Sequence, residues 1–388
     1  MKRTTDNRPV THDEDHPIPV ESMDSNASRR EFLRGSTVTA IGIAGLRAKS
    51  SLAVEPTDRP REENNCPVSA NNAEKDHTMP HPFRKQLLRC LGGPWPETHD
   101  LKPRVEKTED REGYVIEWLS YEAETDDRIP AILLRPRGRS AQSPGPAIAI
   151  WHQHAGQWHL GKSEPAGLAG SSMHHTGVEL AKLGYTVLCP DALCFEERQD
   201  PTGKLKGGGY ERFEFLRYVV DGKCMAWKNI LDMQRAIDYL VTRDEVDTNR
   251  IGCYGHSMGS THTWLVGPWE PRLKCLVGNC CLPTYAAIRR TKLLHCFPNF
   301  VPGLHEFGDT PDIAALIAPR GLHFNFGEND GGSPIKEVRE GVKRIAEAYQ
   351  MRGAAEQFSY FIEPDTGHVL SAAMWDKTKE FFAKHLGS

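Results

Sequence analysis

Asp247-Thr248-Asn249-Arg250-Ile251-Gly252-Cys253-Tyr254-Gly255-His256-Ser257-Met258-Gly259 is the stretch on which the reading of this chain turns. Residues 250–254 form a short apolar run behind a polar lead-in, the signature of a buried strand. The next five residues spell G-x-S-x-G, and the residues after 257 read as a helix. A serine on a turn this sharp leaves no room for side chains two positions before and after it, which accounts for Gly255 and Gly259. The turn lifts the Ser257 hydroxyl clear of the sheet and aims the first amides of the helix, that of Met258 foremost, at whatever reacts there. The five-residue pattern is weak on its own; a strand before it and a helix after it give it its force.

On both sides of this turn the chain alternates between strand and helix. Strands are expected at 114–121 and 129–135, as an opening antiparallel hairpin, and then at 146–151, 186–189, 250–254, 275–278, 322–326 and 357–362. Helices are expected near 83–91, 176–183, 225–240, after 257, at 335–349 and near 372–386. Continuous apolar strands separated by helices imply an α/β fold, with a mostly parallel central sheet flanked by helices. Two excursions, 195–223 and 282–311, exceed simple connections and are expected to build a substrate pocket. Gly207-Gly208-Gly209 in the first reads as a flexible hinge, since no Lys-Ser or Lys-Thr follows to make a phosphate loop. Residues 101–388 are read as the catalytic domain, preceded by a linker and N-terminal arm at 54–100 that is rich in Pro, Asn and charge.

A serine hydroxyl needs a base to take its proton, and the base needs a carboxylate to hold one tautomer. Asp330 lies in Gly327-Glu328-Asn329-Asp330 directly after the strand at 322–326, with Glu328 as its rival. His368, in Thr366-Gly367-His368, follows the next strand; the only later histidine, His385, falls in the last helix. Asp365 sits in a Pro-Asp-Thr-Gly turn and reads as turn chemistry. The oxyanion of an acyl-transfer step needs two N–H donors. Met258 supplies one, and the loop His152-Gln153-His154-Ala155-Gly156 offers the second, from Gln153 or His154.

Three other groupings compete. His152, His154 and His159 have metal-ligand chemistry, but no Asp-His pair accompanies them and loop structure explains them better. Phe195-Glu196-Glu197-Arg198 reads either as an ion-paired loop or as a contact for a polar substrate. Tyr210, Phe213, Phe215 and Tyr218 read as either pocket lining or lid packing.

With 48 Lys+Arg against 52 Asp+Glu, the net charge of -4 points away from nucleic acid and toward small or neutral ligands. The ten cysteines sit mostly in apolar runs, as Cys189, Cys253 and Cys275 do, so no disulfide is assigned. Ser28-Arg29-Arg30-Glu31-Phe32-Leu33-Arg34 followed by the mildly apolar 36–46 resembles a twin-arginine export signal, with Ser51-Leu52-Ala53 offering a cleavage site. A signal at 1–53 implies the twin-arginine translocase as a partner and a periplasmic or extracellular destination.

Taken together, the HQHAGQ loop at 152–157, Gly184-Tyr185-Thr186-Val187-Leu188-Cys189-Pro190-Asp191, the GHSMG turn, GENDGGSP at 327–334 and TGH at 366–368 resemble the dienelactone-hydrolase and acetyl-xylan-esterase-like branch of the α/β hydrolases. The resemblance covers about residue 83 to the C-terminus. It implies hydrolysis of carboxylic esters, acetyl esters of carbohydrates or other small esters, through an acyl-enzyme on Ser257 and without metal or organic cofactor. Dienelactone hydrolases proper use a cysteine nucleophile where this chain has Ser257. Gln-His replaces a common Gly-x-Tyr oxyanion loop, and Ser260 stands where glycine is usual. A peptidase or amidase with the same three residues, and a silent binding protein on the same scaffold, are the rival readings. The first is weakened by the lack of a propeller-length N-terminal region, the second by an intact set of three.

Overall fold

The computed structural model describes residues 82–387, so the double-arginine stretch, the apolar segment 36–46 and the cleavage site at 51–53 lie outside the described residues. The described residues open with α1 (Pro82–Leu91) and the strands β1 (Arg104–Arg111), β2 (Tyr114–Glu124), β3 (Asp127–Pro136) and β4 (Gly145–Trp151). There follow α2 (Thr176–Lys182), β5 (Thr186–Pro190), α3 (Gly208–Val220), α4 (Met225–Val241), β6 (Val246–His256) and α5 (Met258–Val266). The last third comprises β7 (Leu273–Asn279), α6 (Tyr285–Thr291), α7 (Thr310–Ala315), β8 (Gly321–Gly327), α8 (Ile335–Met351), β9 (Phe358–Glu363) and α9 (Ala372–Leu386). The strands form one sheet in the order β1-β2-β3-β5-β4-β6-β7-β8-β9. The first pairings, through β3–β5, are antiparallel, and every later one is parallel.

The two-residue period of a strand divides the sheet's side chains between two cores. In β4, Ala147, Ala149 and Trp151 enter one apolar cluster while Ile148 and Ile150 enter the other. The first cluster packs β4 and β6 against α4, α5 and α8; the second packs them against α2 and α9. Burial on both faces is why these strands read as continuous apolar runs. Stretch 82–100, read from sequence as the end of an arm, shares the first core: Leu87 and Leu91 are buried there and Trp95 Nε1 donates to the Trp227 carbonyl at 2.9 Å.

Two elements depart from expectation. β1, RVEKTEDR, has no apolar period because it is an exposed edge strand held by its backbone ladder to β2, and its charges discourage further strand pairing. Gly207-Gly208-Gly209 is a helix start and not a hinge. Gly207, at φ 49°, is the N-cap of α3, and Gly207 and Gly208 press on the Trp158 ring, where an added Cβ would stand 3.0 and 2.9 Å from ring carbons.

The segment 191–198 after β5 is fixed by buried charge. Lys162, almost wholly buried, meets Asp191 at 2.8 Å, Glu196 at 2.7 Å and Glu197 at 2.6 Å. Arg198 pairs with Asp232 at 2.7 Å and Asp127 at 3.1 Å, and Lys228 joins the same two carboxylates. The sequence 195–198 is therefore ion-paired structure. Despite burial, the carboxylates around it hold the Lys162 ammonium in its charged form. Replacing it leaves the buried Asp191 facing other carboxylates, so Lys162→Met is expected to lower unfolding stability by about 3–5 kcal/mol. Urea denaturation reads this directly, and the deficit narrows as pH falls because protonating a carboxylate removes the repulsion.

Candidate active site

Ser257 stands between the end of β6 and the start of α5 at φ 57° and ψ -116°, a conformation that costs a non-glycine residue on the order of 1–3 kcal/mol. The surroundings impose it. A Cβ on Gly255 would lie 2.1 Å from the Gly259 carbonyl carbon and oxygen, and one on Gly259 would lie 1.9 Å from the Trp151 carbonyl oxygen. The Ser257 N–H is taken by the Asn279 carbonyl at 2.8 Å. The hydroxyl is thus presented above the C-terminal ends of the parallel strands.

Asp330 and His368 reach the same point from the ends of β8 and β9. His368 Nε2 lies 2.8 Å from Ser257 Oγ, and His368 Nδ1 lies 2.9 Å from Asp330 Oδ2. Because a carboxylate only accepts, Nδ1 carries the proton and Nε2 faces the serine with its lone pair. Asp330 is buried and its other oxygen accepts from the Gly332 N–H at 2.7 Å. The two loops are locked together: Asn329 N–H donates to the Thr366 carbonyl at 2.8 Å, and a Cβ on Gly327 would stand 2.1 Å from the Gly367 carbonyl oxygen. Glu328 instead pairs with Arg339 at 3.1 Å, and Asp365 is an exposed turn residue at φ 52°.

Met258 is the first residue of α5, where an N–H has no partner within the helix. Of the two loop candidates, the Gln153 side chain is committed to Glu164 at 2.9 Å and lines a small cavity with Glu164, His174 and His256. His154 lines the cleft that contains Ser257. His152 is buried between them: its Nδ1 donates to the Gln153 carbonyl at 2.7 Å and its Nε2 accepts from the Ala192 N–H at 3.1 Å. Burial pushes its pKa down to about 4, so the ring is neutral. In a trans peptide the N–H opposes the C=O, so the Gln153 carbonyl turned to His152 sends the His154 N–H the other way. His152, His154 and His159 do not converge: His154 bonds Glu211 at 2.9 Å and His159 is exposed.

The cleft, of about 480 Å³, is walled by both excursions, through Gly208, Glu211 and Arg212 of α3 and Leu294 to Phe297. Tyr210 and Tyr218 face a different hollow, Phe215 stacks on Phe297 at 4.6 Å, and Phe213 is exposed. Sequence reasoning missed Glu211, Arg212, His295 and Asn279. The last joins both loops: its Nδ2 donates to His256 Nδ1 at 2.7 Å and to the Val369 carbonyl at 3.2 Å, one residue on each side of the Ser257–His368 pair. Asn279→Ala releases that clamp, and misplacement of reacting groups by about 1 Å costs on the order of 10²-fold. The rate at which a fluorophosphonate labels Ser257 is expected to fall by about that factor while the circular dichroism spectrum stays unchanged.

Residues 140–285 match the dienelactone hydrolase family. YtaP of Bacillus subtilis (strain 168), which carries a hydrolase name, is 30% identical over 308 residues, spanning 78% of this chain and 98% of its own. Among solved structures, a glucuronoyl esterase from Solibacter usitatus superposes with a TM-score of 0.59 at 17% identity, covering 78% of this chain and 91% of its own. Acetyl xylan esterase 1 from Thermoanaerobacterium sp. JW/SL YS485 gives 0.56 at 16% identity, covering 79% and 94%. At those identities the likeness to the solved structures is one of fold, whereas the sequence relative carries the kinship. The chain belongs to the dienelactone hydrolase family of the α/β-hydrolase superfamily.

Proposed function

We propose that this hydrolase is an exported serine esterase acting on small carboxylic esters. The observation that carries the reading is the unbroken hydrogen-bonded run Asp330–His368–Ser257, at 2.9 and 2.8 Å, ending on a strained turn in an open cleft. In the proposed cycle Ser257 Oγ attacks the ester carbonyl carbon as His368 Nε2 takes its proton. The tetrahedral oxyanion is held by the amides of Met258 and His154. The C–O bond to the alcohol then breaks as His368 returns the proton to the leaving oxygen. Water repeats the sequence on the acyl-enzyme, releasing the acid and restoring Ser257. Asp330 keeps the imidazole in the tautomer that can accept and stabilises the imidazolium. The ester names of the two solved relatives by fold agree with this bond, and the Arg29-Arg30 stretch supports export.

Hydrolysis of p-nitrophenyl acetate, butyrate and octanoate tests the reading. Activity is expected to resist a chelator, to be lost on fluorophosphonate labelling, and to fall about 10⁴- to 10⁶-fold in Ser257→Ala. Asp330→Asn, which keeps the shape and favours the wrong tautomer, is expected to cost about 10⁴ in kcat. No hydrolysis of any ester, with a folded protein, would refute the assignment and turn attention to amide bonds. A fusion bearing Arg29→Lys and Arg30→Lys is expected to stay in the cytoplasm; export of that fusion would refute the twin-arginine route.

A further inference from the structure

One wall of the cleft carries two charged side chains, Glu211 and Arg212, that the chemistry at Ser257 leaves unused. Glu211, in the first turn of α3, has a side chain only 3% exposed. Its Oε2 accepts from Trp158 Nε1 at 2.7 Å and from His154 Nε2 at 2.9 Å. His154 Nδ1 accepts the Gly156 N–H at 2.9 Å, so that ring is a neutral donor and not a counter-ion. Among the described residues no lysine or arginine pairs with Glu211, and its Oε1 has no hydrogen-bond partner while keeping contact with solvent. Arg212, the next residue, lines the same cleft and is exposed, and its side chain has no ion pair or hydrogen bond among the described residues.

The Glu211 oxygen that has no protein partner and meets solvent can accept from a ligand that donates to it in the cleft. The Arg212 guanidinium, on the same cleft wall, only donates and asks for an acceptor. An anionic group would meet Glu211, and a cationic group would meet Arg212. A hydroxyl group donates and accepts, carries no charge, and suits both. Resting on the esterase reading, we infer that Glu211 and Arg212 form a hydroxyl-recognition subsite beside Ser257, so that the preferred ester carries free hydroxyl groups within reach of the scissile bond.

Two matched pairs of esters test this: 2,3-dihydroxypropyl acetate against propyl acetate, and ethyl lactate against ethyl propionate. The wild-type protein is expected to favour the hydroxylated member of at least one pair by about tenfold or more in kcat/KM, the scale of one hydrogen bond to a charged group. Glu211→Gln removes the carboxylate at nearly constant shape, and Arg212→Gln alters an exposed residue that should not disturb folding. In each variant the preference ratio is expected to fall about tenfold, mainly through KM, whatever loss is common to both members. Equal losses on both members, with the ratio intact, would overturn the inference and leave Glu211 as a support for His154. Hydrolysis without any preference in the wild type would overturn it too, with the esterase reading untouched. If monomethyl succinate, run beside them, were preferred over all four and that preference were abolished by Arg212→Gln alone, an anion subsite would replace it. Failure on all four esters and on p-nitrophenyl acetate would instead strike the esterase reading itself.

Discussion

The contact between the backbone of Gly259 and the carbonyl of Trp151 is the constraint to which the reactive end of the sheet conforms. An added Cβ would stand 1.9 Å from that oxygen, so α5 can begin where it does only because glycine occupies that position. The same contact brings the end of β4 against the end of β6, and with it the His152–Gly156 loop against the first amides of α5. Ser257 must then adopt φ 57°. The strain is sustained because β4, β6 and β7 are buried strands whose registers leave the turn no alternative. Asn279, at the end of β7, closes the arrangement by taking the Ser257 N–H on its carbonyl while its side chain reaches His256 and the loop of His368.

Charge does for the outer loops what close backbone contact does for the turn. Segment 191–198 has a short apolar anchor, with Leu193 against the first core and Cys194 and Phe195 buried, and Lys162, Arg198 and Lys228 hold its carboxylates and those of Asp127 and Asp232 within hydrogen-bond reach. Buried pairs of this kind add little net stability over apolar packing but strongly penalise any rearrangement that separates them. Their service here is positional. Ala192 donates to His152 and His152 holds the Gln153 carbonyl, which turns the His154 N–H away from that ring.

The inner parallel strands and most helices were legible because β4, β5, β7 and β8 are buried almost throughout on both faces and read as apolar runs. β1 was not, since a charged edge strand owes its existence to backbone pairing, which leaves no mark on side-chain pattern. α3 was hidden for a related reason: its N-cap is Gly207 with no side-chain cap, and Phe213, Leu216 and Val220 are exposed, so its apolar period marks no core face. At the site, Ser257, Asp330 and His368 could be placed because each directly follows a strand. Asn279 and Glu211 could not, because their partners lie 90 residues away at Val369 and 57 and 53 residues away at His154 and Trp158. Only the fold brings such pairs together.

Burial also governs the protonation of the site. The rings of His174, His256 and His368 lie in a row, with centroids 4.7 and then 5.2 Å apart. Burial pushes His256 well below the ordinary histidine range, and the Asn279 side chain donates to its Nδ1, which fixes a neutral tautomer. His174 is lowered too, first by burial. The neutrality matters for the base. A positive charge on His256, at 5.2 Å from His368, would oppose the imidazolium by about 3 kcal/mol at an effective dielectric of about 20. That is roughly two powers of ten in rate for any step that charges His368. Burial of His256 beneath the exposed His368 ring therefore leaves the base a neutral neighbour that is no rival for its proton, and a substitution that raises the polarity around His256 would remove that advantage without touching any of the three residues that handle the proton.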